Sequence, residues 1–323
     1  MNNWVAPLAL AVAALCMHQN AAVADTYPGK PITMIVGFAP NGPNDVQGRL
    51  IAKALSARLG QPINVENKPG KSSNIGTEAV VRAAPDGYTL LFIGPANAIN
   101  MTLYKDLPFN FRQDILPIGG IASENFAMVV NPSVPARTVA EFMDYVKSNP
   151  GKVSMASTGN GSSPHVTGLL FSKTTGLEMP LLSFNGGGPA LKAMVANEQP
   201  IMMFEPLSAA IGDVRSGKLQ ALGVTSATPL AALPGVPPVA ETVIGFTSSA
   251  ITGLGAPKGT PRETIEALNR ELNAVLADPQ VRSDLEKNGG TPLPGSPEDF
   301  ANILDQEIIK WGEVVYSANV TPN

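Results

Sequence analysis

Cysteine is almost missing from this chain: its 323 residues hold one, Cys16, inside an apolar N-terminal stretch. No disulfide can therefore brace the remaining sequence, which must fold by packing and hydrogen bonding alone. Histidine is nearly as scarce. Only His165 lies beyond the first 24 residues, which excludes a histidine-rich metal site, and no cofactor is implied. Charge is thin as well, at 15% of residues with a net −4, and the lysines and arginines are scattered among acids. A nucleic-acid partner would need a concentrated basic face, so that class is set aside. Gly-x-Gly-x-x-Gly after a strand, a Walker A lysine and Gly-x-Ser-x-Gly are all absent.

Residues 1–24 carry no Asp, Glu, Lys or Arg and run apolar from Trp4 to Met17, broken by Pro7. This core is too short for a membrane anchor. It is followed by Ala22-Val23-Ala24 and the polar Asp25, the pattern of a secretory signal cut after Ala24. Leu15 stands before Cys16 where lipid-anchor processing favours a small residue, so cleavage and export are expected rather than a lipoprotein. The mature chain would have 323 − 24 = 299 residues, enough for two lobes. No later run approaches 18 apolar residues.

Beyond the leader, β-rich runs alternate with helical ones: Ile32 to Gly37, Asn44 to Leu59, Ile63 to Asn67, Asn74 to Ala83 and Thr89 to Gly94. This is the rhythm of parallel βαβ units. An irregular stretch spans Tyr104 to Gly120, and the rhythm resumes from Phe126 to Val224. After Ile251 to Ala256 the chain reads as helical, without further strands. The expected fold is therefore α/β and two-lobed, with a discontinuous first lobe (25–125 and 249–323) and a second over 126–248. Thr138-x-x-Glu141, Thr260-Pro261-x-Glu263 and Ser296-Pro297-x-Asp299 mark helix starts.

Four loops rich in small polar residues each follow an expected strand, where open α/β sheets bind ligands. The first, Phe38-Ala39-Pro40-Asn41-Gly42-Pro43-Asn44-Asp45, leads into a helix N-terminus that welcomes an anion, although Asp45 alone suits a cap better. The second, Pro69-Gly70-Lys71-Ser72-Ser73-Asn74, is a donor-rich loop or a surface turn. In the third, Ser157-Thr158-Gly159-Asn160-Gly161-Ser162-Ser163-Pro164-His165, two glycines and several hydroxyls can make a nest of backbone donors. His165 there either bonds locally at the helix start or reaches the ligand. The fourth is Phe184-Asn185-Gly186-Gly187-Gly188, whose glycines admit a ligand or a tight turn and whose Phe184 offers a wall. Asn97, just past one strand, and Glu205, just past another, complete the candidate set. A hydrolase built on Ser162 or Ser163 with His165 and a distant carboxylate, Asp45 or Glu205, is the enzyme alternative. A serine two or three residues from its histidine presents poor geometry for it.

Tyr27-Pro28-x-Lys30-Pro31-Ile32, Val65-Glu66-Asn67-Lys68-Pro69-Gly70, Pro85-Asp86-Gly87-Tyr88-Thr89-Leu90 and Ala256-Pro257-x-Gly259-Thr260-Pro261, in this order, resemble the Bug family. These are periplasmic receptors of tripartite tricarboxylate transporters. The resemblance implies a type II periplasmic-binding fold, each lobe a mixed sheet flanked by helices, closing on a small carboxylate. It implies backbone donors rather than an arginine clamp at loops Phe38–Asp45 and Ser157–His165. As partners it implies transporter membrane subunits and a monomeric receptor. Presentation of ligand to a sensor kinase is a second reading. Departures from the family's pattern fall at Asn41-Gly42, at Phe184-Asn185-Gly186, at Gln199-Pro200 and at Ala250-Ile251. With Met202, Met203 and Phe204 nearby, they suggest a less polar distal group, such as an aromatic or longer aliphatic carboxylate, and leave amino-acid specificity open.

Overall fold

The computed structural model describes residues 27–184, 186–197, 199, 201–287 and 289–322; the leader lies outside them. Among the described residues, no helix is long and apolar enough to cross a membrane.

The chain begins with β1 (Ile32–Val36), α1 (Pro43–Leu59), β2 (Ile63–Asn67), α2 (Asn74–Val81), β3 (Thr89–Ile93), α3 (Pro95–Leu103) and a short α4 (Phe111–Asp114). Next come β4 (Ile115–Val130), α5 (Val139–Ser148), β5 (Ser154–Ser157), α6 (Ser163–Thr175), β6 (Leu181–Ser183), α7 (Gly187–Ala196), β7 (Ile201–Pro206), α8 (Leu207–Arg215) and β8 (Gln220–Val224). The chain ends with β9 (Ser249–Pro257), α9 (Arg262–Ala277), α10 (Pro279–Lys287), β10 (Gly290–Pro292) and α11 (Pro297–Ser317).

Two sheets share one strand. In the first, ordered β2-β1-β3-β9-β4-β10, β1 is parallel to β2 and β3, while β9, β4 and β10 join antiparallel. In the second, β4 lies between β8 and β7, both antiparallel to it, and β7 continues in parallel to β5 and β6. Residues Ile115 to Asn125 of β4 pair with β9, and Phe126 to Val130 pair with β7 and β8. One 16-residue strand thus crosses from sheet to sheet.

Each sheet has its own core. Ile32, Met34, Val36, Leu90 and Phe92 meet α1 and α9 through Ile51, Leu55, Leu268 and Leu272. Phe142, Phe171, Phe204 and Phe246 fill the second, with ring centroids 5.4–6.4 Å apart, a spacing at which tilted and edge-on rings attract. A further cluster ties the halves together. Ile99 and Leu103 of α3 pack with Val166 of α6 and Trp311 and Val314 of α11.

Four expectations need correction. The last part of the stretch read as irregular, 115–120, is strand; register shifts between Pro117 and Gly119 and between Gly120 and Ala122 absorb its breakers as bulges. Pro95 opens a helix that the sequence reading omitted, and Gly94 and Asn97 cap it. The C-terminal run is not all helix, since β10 pairs with Ala122–Glu124. Thr260 does not cap α9: its hydroxyl donates to the Pro257 carbonyl, so α9 starts without a side-chain cap. Thr138 and Ser296 do cap their helices.

Candidate functional site

Where β1, β3, β5 and β7 end, a cavity of about 640 Å³ opens. That volume suits a small organic ligand. Phe38, Pro43 and Asn44 line it from the start of α1, Ser72 from the loop before α2, and Pro95 and Ala96 from α3. Opposite stand Thr158 to Pro164, Gly186 to Gly188, Leu191, Glu205, Pro206 and Ala209; Glu124, Phe126 and Ala250 come from the strands that cross between the sheets. The N-terminal turns of α1, α3, α6 and α7 therefore converge on one space. Each keeps partial positive charge and, apart from its proline (Pro43, Pro95, Pro164, Pro189) and the Asn97 and His165 amides that Gly94 and Ser162 engage, first-turn amides without a partner inside the helix, so an anion there is stabilised without a cationic side chain. Gly159 (φ +123°) and Gly161 (φ +71°) take backbone conformations that turn their loop toward the cavity. A Cβ on Gly161 would lie 2.4 Å from the Leu103 side chain, so this glycine also lets the loop pack against α3.

Several candidate residues build the walls without lining them. Asp45 is 1% exposed and points back into its own loop. It accepts the Asn41 amide at 2.8 Å, a two-pronged contact from Arg49, and the Asn67 side chain. Asn67 also donates to the Phe38 carbonyl, which ties the β1 loop to the end of β2. Arg49 chiefly, with Asn41 and Asn67, holds the Asp45 carboxyl down at about 2. Asp45→Ala is expected to cost about 1–3 kcal/mol, because Arg49 is half exposed and can rehydrate. Urea unfolding at neutral pH measures that. The contribution is present above the ordinary Asp value and lost as pH falls toward 2, so the difference between parent and variant should shrink in acid. An unchanged midpoint at pH 7 would remove this role.

Asn97 is buried, accepts the Gly94 amide and donates to Thr77. Asn74 accepts from Asn100, whose amide also donates to the Ser72 carbonyl at 2.7 Å. That clamp matters because Lys71, Ser72 and Ser73 are consecutive non-glycine residues with φ of +45°, +51° and +75°. Such residues each cost on the order of 1–3 kcal/mol and persist because packing and hydrogen bonds over-determine them. The clamp presents Ser72 to the cavity.

Ser157 is buried. His165 is 4% exposed; its Nδ1 accepts the Gly161 amide at 3.0 Å, and burial lowers its pKa. Ser162 accepts the His165 amide as the cap of α6. Of the two roles open to His165, the structure shows the local one, with Nδ1 engaged as a buttress and not directed to a serine hydroxyl. Phe184 packs on the core of the second sheet beside Met203 instead of forming a wall. Met202 and Phe204 are likewise fully buried in a core and do not flavour the pocket. Ala39 and Asn41 lie on the exposed side of the first loop, and Asn185 lies outside the described residues.

Glu124 is a cavity residue the sequence reading missed, as are Leu191, Pro206, Ala209 and Ala250. No loop signature marks them, because crossing strands and helix faces bring them there.

The model of the tripartite tricarboxylate transporter family receptor matches residues 48–320. The chain belongs to this family. It is 33% identical to protein BugT of Bordetella pertussis over 297 residues, which cover 90% of each chain. Among solved structures it resembles R. palustris Rpa4515 with adipate (29% identity, TM-score 0.82, covering 92% of this chain and 100% of the other). It also resembles the periplasmic binding protein BugD (29% identity, TM-score 0.78, 92% and 100%). The family receptor is thus a periplasmic solute-binding protein with the two-lobed α/β fold anticipated from sequence.

Proposed function

We propose that this receptor captures a small carboxylate in the cavity between its lobes and delivers it to the membrane subunits of a tripartite tricarboxylate transporter, without catalysing a reaction. We take the lobes as 25–125 with 249–323, and 126–248. The observation that carries this reading is the meeting of four helix N-termini on one cavity with no lysine or arginine among its described lining residues. Hydrogen bonds to a charged group contribute roughly 1.5–3 kcal/mol each, so a few backbone amides support binding near −8 kcal/mol, which is micromolar. The adipate-bound neighbour supports the ligand class, and the family supports the partner.

The test is a thermal unfolding screen of the chain from Asp25 onward with succinate, glutarate, adipate, citrate, benzoate and amino acids. A ligand at 100 times its dissociation constant should stabilise by about 2.7 kcal/mol. Hits should be recovered chemically unchanged after long incubation. Flat curves for every carboxylate, or turnover of a hit, would refute the proposal.

A further inference from the structure

The far side of the cavity is acidic. Glu205, at the end of β7, is 2% exposed, lines the cavity and has one oxygen, Oε2, with no hydrogen-bond partner. Its other oxygen lies 2.7 Å from where a Cβ on Gly187 would sit, so glycine at that position leaves the carboxyl room. Glu124, from the crossing strand β4, lines the same cavity and accepts the Ser208 hydroxyl at 2.7 Å. Burial, reinforced by the field of Glu124, raises the Glu205 pKa to about 8, and burial raises that of Glu124 too. Basic groups occur on the elements packed around β7: His165 and Lys173 on α6, Lys192 on α7 and Arg215 on α8, where Asp213 also sits. None of them is among the residues lining the cavity.

A buried carboxyl with an unpaired oxygen is unfavourable unless something completes it. A second ligand carboxylate would meet no cation there: protonated Glu205 could offer it a single O–H donor, and ionised Glu205 would repel it. A protonated amine would bring several N–H donors and the missing charge.

We infer that the ligand is an amino carboxylate, its ammonium received by Glu205 with Glu124 beside it while its carboxylate meets the helix N-termini. This rests on the carboxylate reading above and narrows it. Because empty Glu205 holds a proton at neutral pH, capture of an ammonium ion expels that proton. Affinity for the amine therefore tightens by up to tenfold per pH unit as pH rises toward 8.

The experiment is calorimetry on the chain from Asp25 onward with matched pairs. Glutarate is set against 4-aminobutanoate and glutamate, and adipate against 6-aminohexanoate and lysine, each at pH 6 and 8 in two buffers of different ionisation enthalpy. The expected result is an amino carboxylate that binds at least tenfold more tightly than its matched diacid, tightens from pH 6 to 8 and releases close to one proton. Glu205→Gln should weaken it tenfold or more and abolish the release. The variant's unliganded melting curve confirms folding, and Glu124→Gln gives a smaller loss of the same sign. Diacids that bind while every amino carboxylate fails would overturn this inference and leave the carboxylate reading intact. Failure of all carboxylates would overturn both. Equal binding of the amino ligand by Glu205→Gln and parent would overturn the role of Glu205.

Discussion

Gly37→Ala is expected to destabilise the fold by about 3 kcal/mol or more, at the upper end of what overpacking costs. The added Cβ would stand 1.9 Å from the Ser73 hydroxyl and 2.8 Å from the Ser73 Cα. Neither neighbour can yield cheaply. Ser73 sits in the left-handed run that Asn100 clamps, and Gly76, one turn into α2, already packs so close that its own Cβ would lie 2.9 Å from the Gly37 Cα. Relief requires α2 to back away from β1, which withdraws Ser72 from the cavity and weakens any ligand that meets it. Ser73→Gly removes the hydroxyl and Cβ from the clash at a position whose φ glycine prefers. The double variant should therefore recover about a third or more of the loss, a coupling that separate sites would not show. Urea unfolding of the four proteins settles it. A cost below about 1 kcal/mol for Gly37→Ala, or strict additivity with Ser73→Gly, would mean that this approach is not what the glycine serves.

The parallel strands and most helices were legible because β-branched runs and capped amphipathic segments state their period locally. What escaped was set at long range. Pro117, Gly119 and Gly120 look like breakers, yet they lie in β4, because β9 pairs with it across bulges. β10 has three residues and exists only through its pairing with β4. α3 is the exception, since it carries a local signal: a proline at its first position with Asn97 two residues on.

The cavity loops were legible for a different reason. Open α/β sheets bind ligands in the loops that follow their strands, and Ser72, Thr158 to Ser163, Gly186, Gly187 and Glu205 do line the cavity. The same composition also serves scaffolding, which is why Asp45, Asn74, Asn97 and His165 stood among them in sequence and stand behind them in space. Residue type alone does not separate a donor that faces ligand from one that holds the loop. Glu124 had no signal at all, since it sits mid-strand and reaches the cavity only because β4 crosses between sheets there.

Glu205→Gln is expected to make the unliganded protein more stable in alkali while leaving it unchanged in acid. Below the ordinary value of 4.5, the carboxyl is protonated whether the chain is folded or not, and parent and variant should match. Between 4.5 and about 8 the folded protein keeps a proton that the unfolded chain has released. Parent stability therefore falls as pH rises, by at most about 1.4 kcal/mol per pH unit from this group. Above 8 the loss is complete and amounts to roughly 2–4 kcal/mol once hydration through the cavity mouth is allowed for. Glutamine keeps the shape and carries no charge, so its contribution stays flat and the two curves should separate steadily from pH 5 to 9. Glu124, raised in the same direction by burial, adds a slope of the same sign to both proteins. Unfolding free energies at half-unit pH steps test this directly. Parallel curves would show that Glu205 ionises as freely in the folded state as in the unfolded one. Separating curves, with weaker capture by the variant, would show a binding group retained at the expense of stability, as strained functional sites commonly are.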